Sequence, residues 1–182
     1  MLTTDWKFDF TTLPGWDNRE RIPYIYDAYY FVPDSDVLCC IYSITEVSMG
    51  NNVGFLAILK DKSNPTLILN ISEGYNFCNN FSASKNGRFL FLQPSVYDKI
   101  SRSLHRPVLI IDIFENQFAF VKTDNINPCY KIMELDEFTF KVEAYEKQRV
   151  DRRLDELCSK EIRIDQLEWR TLSTLTSLQK ML

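Results

Sequence analysis

The sequence predicts a mainly β protein of the α+β class, an antiparallel sheet or sandwich of short hairpins followed by a C-terminal helical segment. Three observations support this prediction. Short apolar segments recur through the middle of the chain, and clusters of turn residues separate them. The turn residues Lys85-Asn-Gly87 lead directly into the apolar segment Phe89-Leu-Phe-Leu92. From Glu143 onward glycine and proline are absent and charge is dense, which is typical of helices.

In the first half of the chain, the elements follow from composition and turn signals. Residues 1–23 are irregular, because they contain a proline-glycine turn signal and end at a proline. Residues 24–32 are rich in strand-forming side chains. Residues 37–44 are almost entirely apolar, which predicts a strand that is buried on both faces. Residues 55–59 and 66–71 predict a hairpin with a polar link.

Three further hairpins are predicted at residues 81–92, 107–121 and 131–142, each with turn residues between two apolar segments. A loop or short helix is predicted for residues 93–106. The last hairpin shows the alternation of a half-buried strand at Phe138, Phe140 and Val142. Residues 81–92 also resemble the first strands of a propeller blade, so a partly propeller-like arrangement stays open beside a sandwich or a curled sheet.

The C-terminal segment, residues 143–182, has the spacing of amphipathic helices. One apolar stripe recurs at helical intervals and consists of Val150, Leu154, Leu157 and Cys158. Asp165 and Glu168 match a capping box, which predicts a second helix over residues 166–180. The alternating residues 161–165 between the two helices are compatible with a short strand. The 182 residues therefore predict a single domain, with residues 24–142 as its β-rich core between the irregular N-terminal segment and the helical C-terminal segment.

Composition and charge narrow the classes of function. Hydrophobic residues make up 45% of the chain, enough to build a core. The net charge of −4 argues against direct binding of nucleic acid or of anionic membranes. The N-terminus lacks the basic start and apolar core of a signal peptide, and no apolar run is long enough to span a membrane. The five cysteines fit neither a disulfide framework nor a zinc site, so we expect buried thiols in a cytoplasmic protein.

No pattern in the sequence marks a catalytic, cofactor or metal site. His105 is the sole histidine and has no nucleophile motif near it, so a solvated loop histidine is the expectation. The adjacent Cys39 and Cys40 lie in the most apolar segment, which favours core packing over reactivity. The chain also lacks a glycine-rich phosphate loop. The sequence therefore predicts a protein that is not an enzyme and needs no cofactor.

Carboxylate pairs leave one enzymatic alternative open. Asp34 with Asp36, and Asp136 with Glu137, occur in predicted turns, where aspartate usually caps its own backbone. A hydrolase could still use carboxylates that meet only in the folded protein. Its mark would be a deep pocket that holds two or more acids with raised pKa values.

The acidity of the chain is concentrated near the N-terminus. Residues 1–50 carry eight acids and three bases, a balance of −5, whereas the rest carries 17 acids and 18 bases. A solvated acidic edge would explain this. Alternatively, the acids steer a basic partner and nearby aromatic residues anchor it. The candidate partner-binding residues are Trp16, Asp17, Glu20, Tyr24, Asp27, Asp34 and Asp36.

Residues 36–71 resemble an immunity protein of a bacterial contact-dependent growth inhibition system. The resemblance rests on Cys39-Cys-Ile-Tyr-Ser-Ile-Thr-Glu-Val-Ser-Met-Gly50 and on Gly54-Phe-Leu-Ala-Ile-Leu-Lys60. Such a protein would bind one cognate toxin domain, often a nuclease, and block its active site in the cytoplasm. The resemblance thus implies a protein partner and a monomer in a 1:1 complex. The alternative is a general β scaffold or regulatory module that binds a peptide or another protein.

Overall fold

The computed structural model describes residues 12–13, 28–31, 37–48, 51–59, 67–70, 81–93, 96–98, 103–105, 107–121, 127–145 and 157–175. These residues are mostly β, and every strand pairing with a resolved register is antiparallel. The mainly β prediction is therefore confirmed. The strands are β1 (Ala28–Phe31), β2 (Leu38–Ser48), β3 (Asn51–Leu59), β4 (Leu67–Asn70), β5 (Phe81–Ala83), β6 (Phe89–Leu92), β7 (Val96–Asp98), β8 (Ser103–His105), β9 (Val108–Asp112), β10 (Gln117–Val121), β11 (Asn127–Glu134), β12 (Thr139–Tyr145), β13 (Leu157–Arg163) and β14 (Arg170–Thr171).

The chain divides into two compact units. Unit 1 comprises residues 1–78, 95–104 and 175–182, and unit 2 comprises residues 79–94 and 105–174. The described strands form four sheets. One has four strands, ordered β1-β2-β3-β4, and another consists of β7 and β8. The other two sheets belong to unit 2. The single domain that the sequence predicts over residues 1–182 stays a prediction.

The four-stranded sheet of unit 1 is an antiparallel meander centred on β2 and β3. Leu38, Cys39, Cys40 and Tyr42 of β2 are all fully buried. Because neighbouring strand residues point to opposite faces, this burial shows that both faces of β2 are covered. The predicted two-faced strand and the packing of both cysteines in the core are thereby confirmed.

Unit 2 contains a five-stranded sheet, ordered β14-β10-β9-β6-β5, and a three-stranded sheet, ordered β11-β12-β13. The predicted hairpins are all present: β5 pairs with β6, β9 with β10, and β11 with β12. Side chains from both sheets meet in one core, which consists of Phe89, Phe91, Val108, Ile110, Val121, Phe140, Val142, Ile162 and Ile164. This shared core fixes the three hairpins against one another.

The turn between β5 and β6 depends on a glycine. Gly87 has a φ of 72°, in the left-handed region where a side chain clashes with the backbone. Its N–H donates to the carbonyl of Ser84, and the Ser84 hydroxyl accepts the N–H of Phe89. The Ser84 hydroxyl also donates to the Asn86 side chain. The predicted Lys-Asn-Gly turn is therefore confirmed with a specific hydrogen-bond network.

We expect Gly87→Ala to lower the free energy of unfolding by about 1–2 kcal/mol, because alanine is disfavoured at this positive φ. Chemical denaturation followed by circular dichroism measures the loss. The control is Asn116→Gly, since Asn116 has a φ of 55° and glycine suits that backbone at least as well. Equal losses in both variants would contradict the role given to the left-handed conformation.

The predicted C-terminal helical segment is wrong over the described residues. Residues 157–163 form β13, which pairs with β12 along its whole length. Two three-residue 3-10 helices, Ile164–Gln166 and Leu172–Thr174, flank the short strand β14. Backbone pairing with β12 and burial of Ile162 and Ile164 outweigh the helical pattern of Leu157 and Cys158. Val150 and Leu154 of the first predicted helix, and residues 176–180 of the second, lie outside the described residues.

Two smaller expectations also differ from the structure. The sheets in the described ranges have four, five, three and two strands, unlike the uniform four-stranded blades of a propeller. The propeller-like part of the prediction is therefore not supported. Residues 93–106, expected to be a loop or short helix, contain the strands β7 and β8. Their two-stranded sheet uses backbone pairing that apolar periodicity does not reveal.

Candidate functional site

The predicted partner-binding residues Trp16, Asp17, Glu20, Tyr24, Asp27, Asp34 and Asp36 all lie outside the described residues. The role assigned to them therefore stays a prediction. His105 lies in β8, so its backbone belongs to a strand rather than to the expected loop. Among the described residues, no group of three or more histidine, cysteine, aspartate or glutamate side chains is placed to hold a metal ion.

Three turns of unit 2 adjoin and form what we call the turn surface, residues 85–88, 113–116 and 135–138. The N–H of Ile113 donates to the carbonyl of Arg88 at 2.9 Å, which joins the first two turns. The N–H of Lys85 donates to Glu134 Oε2 at 2.7 Å, which joins the first turn to the end of β11. The turn surface is therefore one continuous region built from three hairpins.

A nearly buried carboxylate holds the middle turn. Asp112 Oδ2 accepts hydrogen bonds from Nε–H and Nη2–H of Arg88, at 2.9 Å and 2.7 Å. Its Oδ1 accepts the N–H groups of Phe114 and Glu115 at 3.0 Å and 3.1 Å. Only 3% of the Asp112 side chain is exposed, against 33% for Arg88. One carboxylate thus fixes both the β9–β10 turn and the base of the neighbouring turn.

The third turn is capped by its own aspartate. Asp136 Oδ1 accepts the N–H of Phe138 at 2.8 Å, as predicted for an aspartate in a turn. The carbonyl of Phe138 in turn accepts the N–H of Ile164 at 2.9 Å. These bonds tie the β11–β12 turn to the end of β13, so its exposed side chains stand on a fixed backbone.

Large apolar side chains project from two of these turns. Phe114 is 53% exposed, Leu135 49% and Phe138 51%. These three are the exposed large hydrophobic residues of the described structure. Large apolar side chains that stay exposed on adjoining turns commonly mark interaction sites. The turn surface is therefore our candidate functional site.

Acidic groups accompany these apolar side chains. Arg88 forms a salt bridge with Asp112, and Arg163 forms one with Asp165, in which Nη2 lies 2.8 Å from Oδ2. The described structure shows no ion pair for the carboxylates of Glu115 or Glu137. The pKa of Arg88 is raised, chiefly by its hydrogen bonds to Asp112 and further by the charges of Asp112, Glu115 and Glu137. The turn surface thus combines apolar tips with an excess of negative charge.

The sequence pattern did not mark Phe114, Leu135 or Phe138 as site residues. It placed Phe138 in a half-buried strand with Phe140 and Val142, of which only the latter two are buried. Because β12 begins at Thr139, Phe138 belongs to the turn. The available signal was local: in both turns, an aromatic or leucine residue stands next to an acid, at positions where polar turn residues are usual.

Asp136 predicts a specific pH dependence. Its pKa is lowered, mainly because the carboxylate accepts the N–H of Phe138. A lowered pKa stabilises the folded state fully above the unfolded carboxyl pKa of about 3.9, and the contribution is lost as pH falls through the folded pKa. We expect Asp136→Asn to reduce stability at neutral pH and to converge with the original protein in acid. Free energies of unfolding of both proteins, measured from about pH 7 to about pH 2, test this. A difference in stability that stays constant over this pH range would contradict it.

No helix in the described part of the chain is long and apolar enough to cross a membrane. Comparison of the chain with protein-family models, with curated proteins and with solved structures found no match.

Proposed function

We propose that this protein acts by binding another protein stoichiometrically, and that the partner is a bacterial toxin domain, a nuclease, which it neutralises in the cytoplasm as an immunity protein. The observation that carries the binding role is the turn surface, where Phe114, Leu135 and Phe138 are each about half exposed. The toxin as partner comes from the resemblance of residues 36–71 to immunity proteins.

The arrangement of the turn surface suits tight binding. Aromatic side chains bury a large apolar area with few rotatable bonds, so they commonly dominate the binding energy of interfaces. Here Phe114 and Phe138 stand on turns that Asp112 and Asp136 hold by hydrogen bonds. A backbone that is already ordered loses less conformational entropy when the partner arrives. These features support a preformed interface.

The acidic N-terminal residues supply the second part of the proposal. Asp17, Glu20, Asp27, Asp34 and Asp36 would speed and orient docking onto the basic substrate groove of a nuclease, with Trp16 and Tyr24 as anchors. Electrostatic steering of this kind acts mainly on the association rate. The proposed complex contains one copy of each protein, with no nucleic acid or membrane in direct contact.

Growth rescue tests the proposal. The gene directly upstream is examined first for a toxin domain, and that domain is expressed in bacteria, alone or together with the full chain. We expect growth arrest with the toxin alone and full recovery with the chain present, because a bound toxin cannot reach its substrate. The destabilised core variant Phe140→Ala serves as the control for the amount of folded chain, and rescue should fall with the fraction that stays folded. Toxicity that persists with the folded chain would contradict neutralisation, and an upstream gene without a toxin domain would favour a general binding module.

A further inference from the structure

We infer that the turn surface docks onto a basic face of its partner that has an apolar centre. This inference rests on the proposed function and deepens it, because it specifies the chemistry of the partner. Its basis is the combination of three half-exposed apolar side chains with an uncompensated negative charge on the same connected turns. Neither feature alone would specify a partner.

The charge balance of the turn surface follows from its contacts. The salt bridge to Asp112 compensates the charge of Arg88. Arg163, whose charge acts on Asp136, is compensated by Asp165 in the same way. The groups that remain at the turns and at the end of β11 are four acids, Glu115, Glu134, Asp136 and Glu137, and one base, Lys85, which leaves a charge of −3. A net negative surface repels acidic partners and attracts basic ones. The sign of this charge therefore selects the partner.

The apolar side chains determine what lies at the centre of the partner's face. Phe114 and Glu115 are adjacent in one turn, while Asp136 and Glu137 stand between Leu135 and Phe138 in another. Each exposed apolar side chain is thus next to an acid in sequence. A complementary partner therefore offers an apolar pocket with lysine or arginine at its rim. A second copy of this chain, at a net charge of −4, fits this surface poorly.

The two contributions act on different rate constants. Acids at a rim accelerate encounter and lose their effect in salt, whereas buried aromatic anchors slow dissociation. Reversal of Glu115 and Glu137 should therefore lower the association rate, and replacement of Phe114 and Phe138 should raise the dissociation rate. All four side chains can be changed with little risk to the fold, since Glu115 and Glu137 are exposed and both phenylalanines are half exposed.

A synthetic amphipathic peptide provides the probe, with leucine and tryptophan on one side and lysine and arginine on the other. Its binding to the full chain is measured by surface plasmon resonance at about 50 mM and about 300 mM salt. We expect the double variants Glu115→Lys/Glu137→Lys and Phe114→Ser/Phe138→Ser to bind about tenfold or more weakly. The charge-matched control Glu161→Lys/Glu168→Lys should bind as the original protein does, because these exposed acids lie outside the three turns.

Several results would overturn the inference. They are unchanged peptide binding in both double variants, equal binding of a peptide with glutamate in place of lysine and arginine, and a dimer of the chain that both double variants abolish. Amide hydrogen exchange provides an independent readout, with protection by the peptide expected at residues 113–116 and 135–138. The peptide test does not involve the toxin, so its failure is distinguishable from a failure of growth rescue.

Discussion

Phe140→Ala is expected to lower the free energy of unfolding by about 3–5 kcal/mol, the range for removal of a buried aromatic side chain. Phe140 is 1% exposed and lies in β12, where the two sheets of unit 2 share their core. Its ring packs against Phe91 at 4.5 Å and edge-on against Phe89 at 5.9 Å between centroids. Alanine would leave a cavity at this junction, and chemical denaturation followed by circular dichroism measures the resulting loss.

Phe138→Ala is the matched control, because it removes the same atoms two residues earlier from a ring that is 51% exposed. We expect a loss of less than about 1 kcal/mol there, since much of the side chain is already hydrated. The same variant should weaken partner binding, so the two phenylalanines separate folding from recognition. A loss of stability in Phe138→Ala as large as in Phe140→Ala would show that the turn surface belongs to the core.

Arg88→Met should destabilise the protein by roughly 3 kcal/mol, the lower end of the range for breaking a buried ion pair. Asp112 would then be a nearly buried carboxylate without its cation, although Phe114 and Glu115 would still donate to it. The lower end applies because a third of the Arg88 side chain is exposed and water reaches the guanidinium. The guanidinium carbon Cζ of Arg88 also lies over the Phe89 ring, 5.0 Å from its centroid. Loss of this cation–π contact should lower the stability by a smaller amount.

The double variant Arg88→Met/Asp112→Asn separates charge from shape. Asparagine keeps an oxygen for the N–H groups of the turn but carries no charge that needs compensation. We therefore expect the double variant to be more stable than Arg88→Met alone, in the same denaturation experiment. If Asp112→Asn instead adds to the loss, the turn depends on the carboxylate itself and the ion pair is not the dominant interaction.

Local patterns in the sequence were sufficient for the hairpins. Gly87 follows two turn residues and precedes an apolar strand, and the structure has the predicted turn with its positive φ. The apolar run that contains Cys39 and Cys40 predicted a strand covered on both faces, as observed. In these cases the residues that determine the conformation are neighbours in sequence, so one chain carries the whole signal.

Long-range contacts account for what the sequence did not predict. Residues 157–163 carry a helical stripe at their start, but pairing with β12 makes them a strand. The turn surface depends on Arg88 with Asp112, 24 residues apart, and on Lys85 with Glu134, 49 residues apart. No local spacing indicates that these groups meet. The exposed apolar side chains were therefore visible as residues but not as a site.

A titration of toxin activity most directly distinguishes stoichiometric binding of the toxin from its catalytic inactivation. The toxin domain used for growth rescue is purified and mixed with increasing amounts of the full chain, and its remaining cleavage of nucleic acid is measured. Stoichiometric binding predicts that activity falls linearly and ends at one equivalent, with a 1:1 complex by light scattering. Complete inactivation by a small fraction of an equivalent would reveal catalysis instead, and undiminished activity at excess chain would show that this toxin is not bound.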